Sequence, residues 1–555
     1  MKTIYKLLPL NITASLLLTG CFSADPVFKN AEPEKVDDLP LKLTPISNVE
    51  LKGWNQSDLA LDTIPGMSVG RTYSELLQGK KGKTVIVAVV DSGIDINHED
   101  LKGKIWTNKK ERPGDGKDND RNGYIDDVHG WNFLGDVVAE NMEYTRIVRD
   151  YKDKFEGKTS VPAEDQKMFE LYKAAKEEYA KEFSEVQQKS AQYSAMYTGL
   201  TDAHKMATEK LGKSDYSTLE LLALETTTDT EKQNKEILLS MSGNVDDGEN
   251  FNDFLEGFSE YVEYLSEREK THFNFDLNAR KALNDDENNI SKKVYGNNKV
   301  GGPDPKLKDA KHGTHVAGII AANRNNDIGM KGIAENVLIM PVRAVPDGDE
   351  YDKDIANGIR YAVDNGAKII NTSFGKYFSP HPEWVWDAIK YAASKDVLIV
   401  NAAGNENTNI DQKNVYPNDQ TVANDKEVAD NFLTVGALNY EYGTQMIAPF
   451  SNYGKKNVDV FAPGVKIYAT TPLNNYEFMQ GTSMAAPAVS GAAAVIRSYF
   501  PKLTAAQVKK VLMDSGNPSK SNVVLGDGTN SAFMQTSRSG KMVNLYNAFL
   551  LAQKL

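Results

Sequence analysis

Thr84-Val85-Ile86-Val87-Ala88-Val89-Val90-Asp91 is the stretch that decides the fold. Its β-branched side chains run on without a polar alternate, the pattern of a strand covered on both faces, as in a parallel sheet between helices. The run ends on a carboxylate, which a buried strand would not choose for stability. Comparable runs recur at 337–342, 368–371, 397–400, 432–435 and 458–461, and segments of helical period, 354–364 and 382–395, lie between several of them. That alternation predicts an α/β fold, a doubly wound parallel sheet with helices on both faces. Residues 128–133 read as its second core strand.

At 555 residues the chain exceeds the roughly 250–300 at which one core stops growing, so an insertion or appendage is expected. From 138 to 299 the rhythm changes to Glu, Lys, Gln and Ala. Phe169, Tyr172, Ala175, Tyr179, Phe183 and Val186 recur at steps of three and four, an apolar stripe on a long helix beginning near Glu164. Phe251, Phe254, Leu255, Phe258, Tyr261, Val262 and Leu265 mark a second. The segment is therefore a mostly helical inserted subdomain whose aromatic residues form its own core. Composition, 40% hydrophobic and 25% charged, is globular. A net charge of −13 repels phosphate backbones and argues against nucleic acid as a partner.

The single cysteine, Cys21, allows no internal disulfide. Lys2 and Lys6 followed by the mostly apolar 7–18 form a targeting segment, to be cleaved. Leu18-Thr19-Gly20-Cys21 resembles the bacterial lipobox, which implies an exported chain acylated at Cys21 and held on a bacterial cell membrane or outer membrane; anchoring grows by about 0.8 kcal/mol per buried CH₂. No later segment has the roughly 18 apolar residues that span a bilayer. The organisation expected is a signal peptide (1–20), a lipidated, Pro- and Lys-rich tether (21–55), the α/β unit in two parts (56–137 and 300–555) and the helical insertion (138–299).

Three polar motifs carry the chemistry: Val90-Asp91-Ser92-Gly93, His312-Gly313-Thr314-His315, and Gly481-Thr482-Ser483-Met484-Ala485. A serine hydroxyl is a poor nucleophile until an imidazole takes its proton, and the imidazole needs a carboxylate to fix its tautomer and stabilise its charge. Asp91, His312 and Ser483 supply these three groups. A separate stretch, 118–129, places Asp118, Asp120 and Asn122 at positions 1, 3 and 5, Gly123 at 6 and the Tyr124 carbonyl at 7, the pattern of a calcium loop. His129 stands at position 12, where glutamate is usual, so the last ligand is Asp126 or Asp127. Ca²⁺ is the one cofactor expected, with no organic cofactor.

In order and in residue content the three motifs resemble those of the subtilase family of serine proteases, over about 70–137 and 300–550. The resemblance implies a serine endopeptidase acting on polypeptides, with His312 as base and His315 in a buried structural role. It also implies that Asn405, in Ala402-Ala403-Gly404-Asn405-Glu406, stabilises the oxyanion together with the Ser483 N–H. Substrate-binding residues implied are Gly404, the strand Ser373-Phe374-Gly375, and an opposite strand from Gly348 to Tyr351, with Asp349, Glu350 and Glu406 lining the side N-terminal to the scissile bond. A second calcium site is implied at Asp100 and Asn326.

Two other classes stay open: a transpeptidase, in which the insertion shields the acyl-enzyme from water, and a lipid-anchored scaffold with a vestigial protease domain. The insertion leaves and returns beside the triad at glycine-marked joints, near Gly135 and at Gly301-Gly302, which suggests a cap over the site. The chain ahead of the first strand is short for a globular inhibitory propeptide, and Trp54 to Leu77 is read as a smaller brace.

Overall fold

The computed structural model describes residues 42–244, 250–420 and 426–555. The deciding run is strand β1 (Val85–Asp91), followed in chain order by β2 (Trp131–Asn132), β3 (Val337–Arg343), β4 (Ile369–Thr372), β5 (Leu398–Ala402), β6 (Phe432–Leu438) and β7 (Val460–Pro463). A hairpin of β8 (Ile467–Thr471) and β9 (Asn475–Met479) follows, then β10 (Asn517–Pro518), β11 (Asn522–Val524), β12 (Asn530–Ala532) and β13 (Lys541–Met542). Nine of these form one sheet in the order β10-β13-β7-β6-β5-β4-β1-β3-β2, and every pairing in it except β10 with β13 is parallel. The segment 128–133 contributes only its two-residue β2, at the edge of the sheet.

β1 shows why its sequence is unbroken. Val87 and Val89 point into a core shared with Val316, Ile319 and Ile320 of the helix Lys311–Ala321 and with Val489 of the helix Thr482–Tyr499. Ala88 and Val90 point into the opposite core, against Ile355 and Ile359 of the helix Asp352–Asp364 and Ile389 of the helix Pro382–Ser394. Both faces of the pleat are dry, so no position tolerates a polar side chain. The chain passes from β3, on one side of β1, to β4 on the other. Such a switch in strand order opens a crevice at the carboxyl ends of the strands.

The tether expected through residue 55 ends earlier. Ser47 and Glu50 form a capping box on the helix Asn48–Gly53, and the Trp54 indole, buried, donates to the Val465 carbonyl at 3.0 Å. Leu59, Ile64, Met67 and Val69 join the same core, so residues from about 47 onward brace the α/β unit. Cys21 and the signal segment lie outside the described residues.

The insertion carries five α-helices among the described residues, including Glu143–Phe155, Gln166–Leu211 and Phe251–Thr271. The 46-residue Gln166–Leu211 helix spans roughly 69 Å at 1.5 Å per residue, and Tyr193 and Tyr197 on it pack against Phe258 of the Phe251–Thr271 helix. The Glu143–Phe155 helix buries Tyr144, Ile147, Val148 and Phe155 at helical spacing, and its inward face also carries charge. Buried Arg146 donates to Glu143 Oε2 at 2.5 Å and to the main-chain oxygens of Asn141 and Asp349. Arg280 grips Asp354 and Asp285, and Lys353 reaches Asp285 at 2.7 Å. Buried ion pairs thus pin the base of the insertion to the Asp352–Asp364 helix, and Arg146 ties it by hydrogen bonding to the segment after β3.

Candidate active site

Every element that reaches the site does so at the carboxyl edge of the sheet. Asp91 is the last residue of β1; Ser373–Gly375 follows β4; Ala403, Gly404 and Asn405 follow β5. His312 stands in the first turn of the Lys311–Ala321 helix. Gly313 lets this helix approach β1, since a β-carbon there would lie 2.2 Å from the Gly93 carbonyl oxygen. His312 Nδ1 donates to Asp91 Oδ1 at 2.7 Å, which leaves Nε2 as the acceptor facing outward. Burial of the imidazole works against its charged form, but the adjacent carboxylate and its hydrogen bond outweigh that, so the His312 pKa is raised. His315, one turn on, is buried and ties the helix to the hairpin through the carbonyls of Ile467 and Glu477, at 3.0 and 3.1 Å. Burial pushes its pKa down to about 4.

Ser483 opens the Thr482–Tyr499 helix, where N–H groups have no partner within the helix. Pro487 cannot donate to the carbonyl four residues back, and the Ser483 carbonyl instead accepts from Ser373 Oγ at 2.9 Å. Ser483 Oγ donates to the Ser373 carbonyl at 3.0 Å; it makes no hydrogen bond to His312. Asn405 is exposed, and its Oδ1 is held by Thr482 N and Oγ1 at 2.8 and 3.0 Å. That anchoring turns the amide nitrogen toward open space. A β-carbon built on Gly481 would lie 3.5 Å from Asn405 Nδ2, 3.6 Å from Asn405 Oδ1 and 3.6 Å from Ser483 N, so the Asn405 amide and the Ser483 N–H are neighbours beside the serine. Gly404, at φ +101°, donates to Thr482 Oγ1 at 3.0 Å and completes the clasp.

The substrate strands are less uniform. Phe374 is half-buried and Gly375 exposed, and among the described residues neither makes a main-chain hydrogen bond. On the other side the expectation needs correcting. Tyr351 is buried, its ring between the Arg146 and Arg280 guanidinium groups, so it does not line the cleft. Asp349 and Glu350 are buried as well, not on a rim: Asp349 Oδ2 caps the Glu143 N–H at 2.7 Å, and burial pushes Glu350 up to about 8. Gly348 is packed against the Glu140 carbonyl of the insertion. Glu406 is exposed and accepts from Tyr377 and Asn452. A cavity of about 260 Å³ borders His312, lined in part by Ser92, Val345, Met479 and Val138, the first residue of the insertion.

The acidic loop folds around carboxylates. Glu111, Asp120 and Asp127 each bring an oxygen within 4.8 Å of the others. Glu111 lies outside the loop pattern, which is why sequence spacing passed over it. Its Oε2 is buried without a hydrogen-bond partner, and burial pushes Asp127 up to about 6 despite donors from Tyr361, Asn122 and Asn108. Three carboxylates this close, with Glu111 Oε2 buried and unpartnered, are hard oxygen donors that suit a hard cation. Asp118 and Asn122 order the turn: Asp118 accepts from Asn122 N and Gly123 N, and Asn122 Oδ1 accepts from Tyr124 N. Asp126 turns away to cap Gly114 N and Gly116 N. At the second expected site Asp100 and Asn326 do meet, with Asn326 Nδ2 donating to Asp100 at 2.7 Å, but Asn323 N and Met330 N donate to the same carboxylate, and the loop closes as a clasp of donors.

Such a sheet, with Asp91, Ser373 and Asn405 at the carboxyl ends of its strands, defines an α/β protein with its polar groups gathered along one edge. The family is shown independently: the subtilase family model matches residues 82–533, and the chain belongs to the subtilase family. Among its relatives are a thermophilic serine proteinase of Bacillus sp. (strain AK1), 42% identical over 34% of this chain and 42% of the relative, and the cell wall-associated protease of Bacillus subtilis (strain 168), 41% identical over 39% of this chain and 22% of the relative. Subtilisin DY of Bacillus licheniformis is 34% identical over 39% of this chain and 74% of its own length. The chain thus spans less than half the length of the first two.

Proposed function

We propose that this chain is a serine endopeptidase that hydrolyses polypeptides through an acyl-enzyme on Ser483. The observation that carries the reading is the 2.7 Å Asp91–His312 pair, at the same sheet edge as the neighbouring Asn405 amide and Ser483 N–H. For attack, Ser483 Oγ exchanges the Ser373 carbonyl for His312 Nε2, which takes its proton as Oγ bonds to the scissile carbonyl carbon. Asp91 stabilises the imidazolium, and the two donors receive the oxyanion. His312 then gives the proton to the leaving amine, and water, deprotonated by the same imidazole, releases the acyl group.

In this reading Glu111, Asp120 and Asp127 hold a structural Ca²⁺, and lipid on Cys21 attaches an exported chain to a bacterial membrane. Among the described residues no helix is long and apolar enough to cross one. The test is labelling of the full chain with a fluorophosphonate and location of the adduct by mass spectrometry. Label on Ser483 is expected; an unlabelled, folded chain would favour the scaffold reading.

A further inference from the structure

The groove that should take a substrate's main chain lies between the segment after β3 and the segment after β4, and its two walls meet. Lys376, the residue after Gly375, is buried, and its Nζ crosses to the Glu350 carbonyl at 2.6 Å. The same ammonium pairs with Glu143 Oε2 at 2.7 Å and Asp352 Oδ1 at 2.9 Å. Arg146 adds bonds to the carbonyls of Asp349 and Glu350, at 2.7 and 3.2 Å. The outer edge is also taken, since Asp347 N donates to the Val138 carbonyl and Glu140 N to the Asp347 carbonyl, both at 2.9 Å. Beyond the junction, Tyr144 of the insertion packs on Phe378, ring centres 6.1 Å apart.

We propose that Lys376, with Glu143 and Arg146 of the insertion, closes the end of the cleft N-terminal to the scissile bond, so that recognition there is confined to a short peptide stretch. Residues of an added strand register one for one with the strand they pair with. The open wall runs from Ser373, whose carbonyl touches Ser483, to Gly375, and it accommodates about three substrate residues by that register. At the fourth residue a longer polypeptide must leave the surface. The insertion in this account sets substrate reach as a fixed wall. A swing of the insertion would separate Glu143 from Lys376 and strip the Asp349 and Glu350 carbonyls of their Arg146 donors, all of them buried contacts, which does not suit a swinging lid.

The inference rests on the proposed peptidase reading, and its test separates the two. A peptide series with constant residues around and after the scissile bond is lengthened from one to six residues before it. The series is measured for kcat/KM on the full chain and for Kd on the full-length Ser483→Ala variant. Both quantities should improve through about the third residue and then stay within about twofold, because later main-chain groups find no partner. A further gain of tenfold or more on adding the fourth and fifth residues, in either quantity, would overturn the closed end. Binding with that plateau but without any cleavage by the wild type would keep the closed end and sink the peptidase reading.

Discussion

At the scale of single residues, chemistry made some positions legible and burial hid others. Asp91, a histidine and Ser483 stand out in the sequence because few residue types can orient a base, accept a proton or attack a carbonyl, whereas Asn405 and the choice of His312 over His315 came only with the resemblance to the subtilase motifs. Asp349 and Glu350 look like rim acids from spacing alone, and both are buried, because the insertion, distant in sequence, covers them: Glu143 N donates to the Asp349 carboxylate, and Arg146 and Lys376 hold the main-chain carbonyls of Asp349 and Glu350. Glu350 makes this measurable. Burial, against the pull of Lys376, raises its pKa to about 8, above the roughly 4.3 of an unfolded chain. A carboxyl whose folded pKa is raised contributes stability below the unfolded value and loses it as pH rises through the folded one. Denaturant unfolding of the wild type should therefore weaken between about pH 5 and 8, and Glu350→Gln should flatten that decline. Parallel pH profiles for the two proteins would show that Glu350 is charged in the fold.

At the scale of elements, the strands were readable because both faces of the sheet are dry, which forces unbroken apolar runs. Residues 128–133 were over-read, since only Trp131–Asn132 pairs, at the edge. The Glu143–Phe155 helix carries a short stripe of Tyr144, Ile147, Val148 and Phe155 beside buried charged residues, and the Gln166–Leu211 helix a longer one beginning with Phe169, Tyr172 and Ala175, all buried. The loop around Asp118 was legible as an acidic turn, but the oxygens that cluster come from Glu111, Asp120 and Asp127, and spacing cannot show which carboxylates a turn folds inward. If that cluster holds Ca²⁺ it stabilises only the folded chain, by about 2.7 kcal/mol at a hundredfold excess over Kd. Excess chelator should lower the melting temperature of the wild type and leave an Asp127→Asn variant unmoved. Equal melting with and without chelator would remove calcium from the account.

Across the whole molecule, the sheet gathers its working groups along one edge, and the insertion borders that edge without contributing to the triad. Val138 walls the cavity beside His312, and ion pairs of Glu143 with Lys376 and of Arg280 with Asp354 fix the insertion to the unit it interrupts. The N-terminal residues from Ser47 brace the same core from another side. The central claim is that Asp91, His312 and Ser483 act as one unit, and the most direct measurement is kcat/KM for an unstructured protein substrate against pH, for the full-length wild type and Asp91→Asn. The base must be neutral to accept a proton, and Asp91 raises the pKa of His312, so wild-type activity should be lost as pH falls through a limb above about 6.5. Asp91→Asn should cut kcat by about 10⁴ and move any residual limb to lower pH. Undiminished turnover in Asp91→Asn, or a limb that stays where it was, would contradict the account.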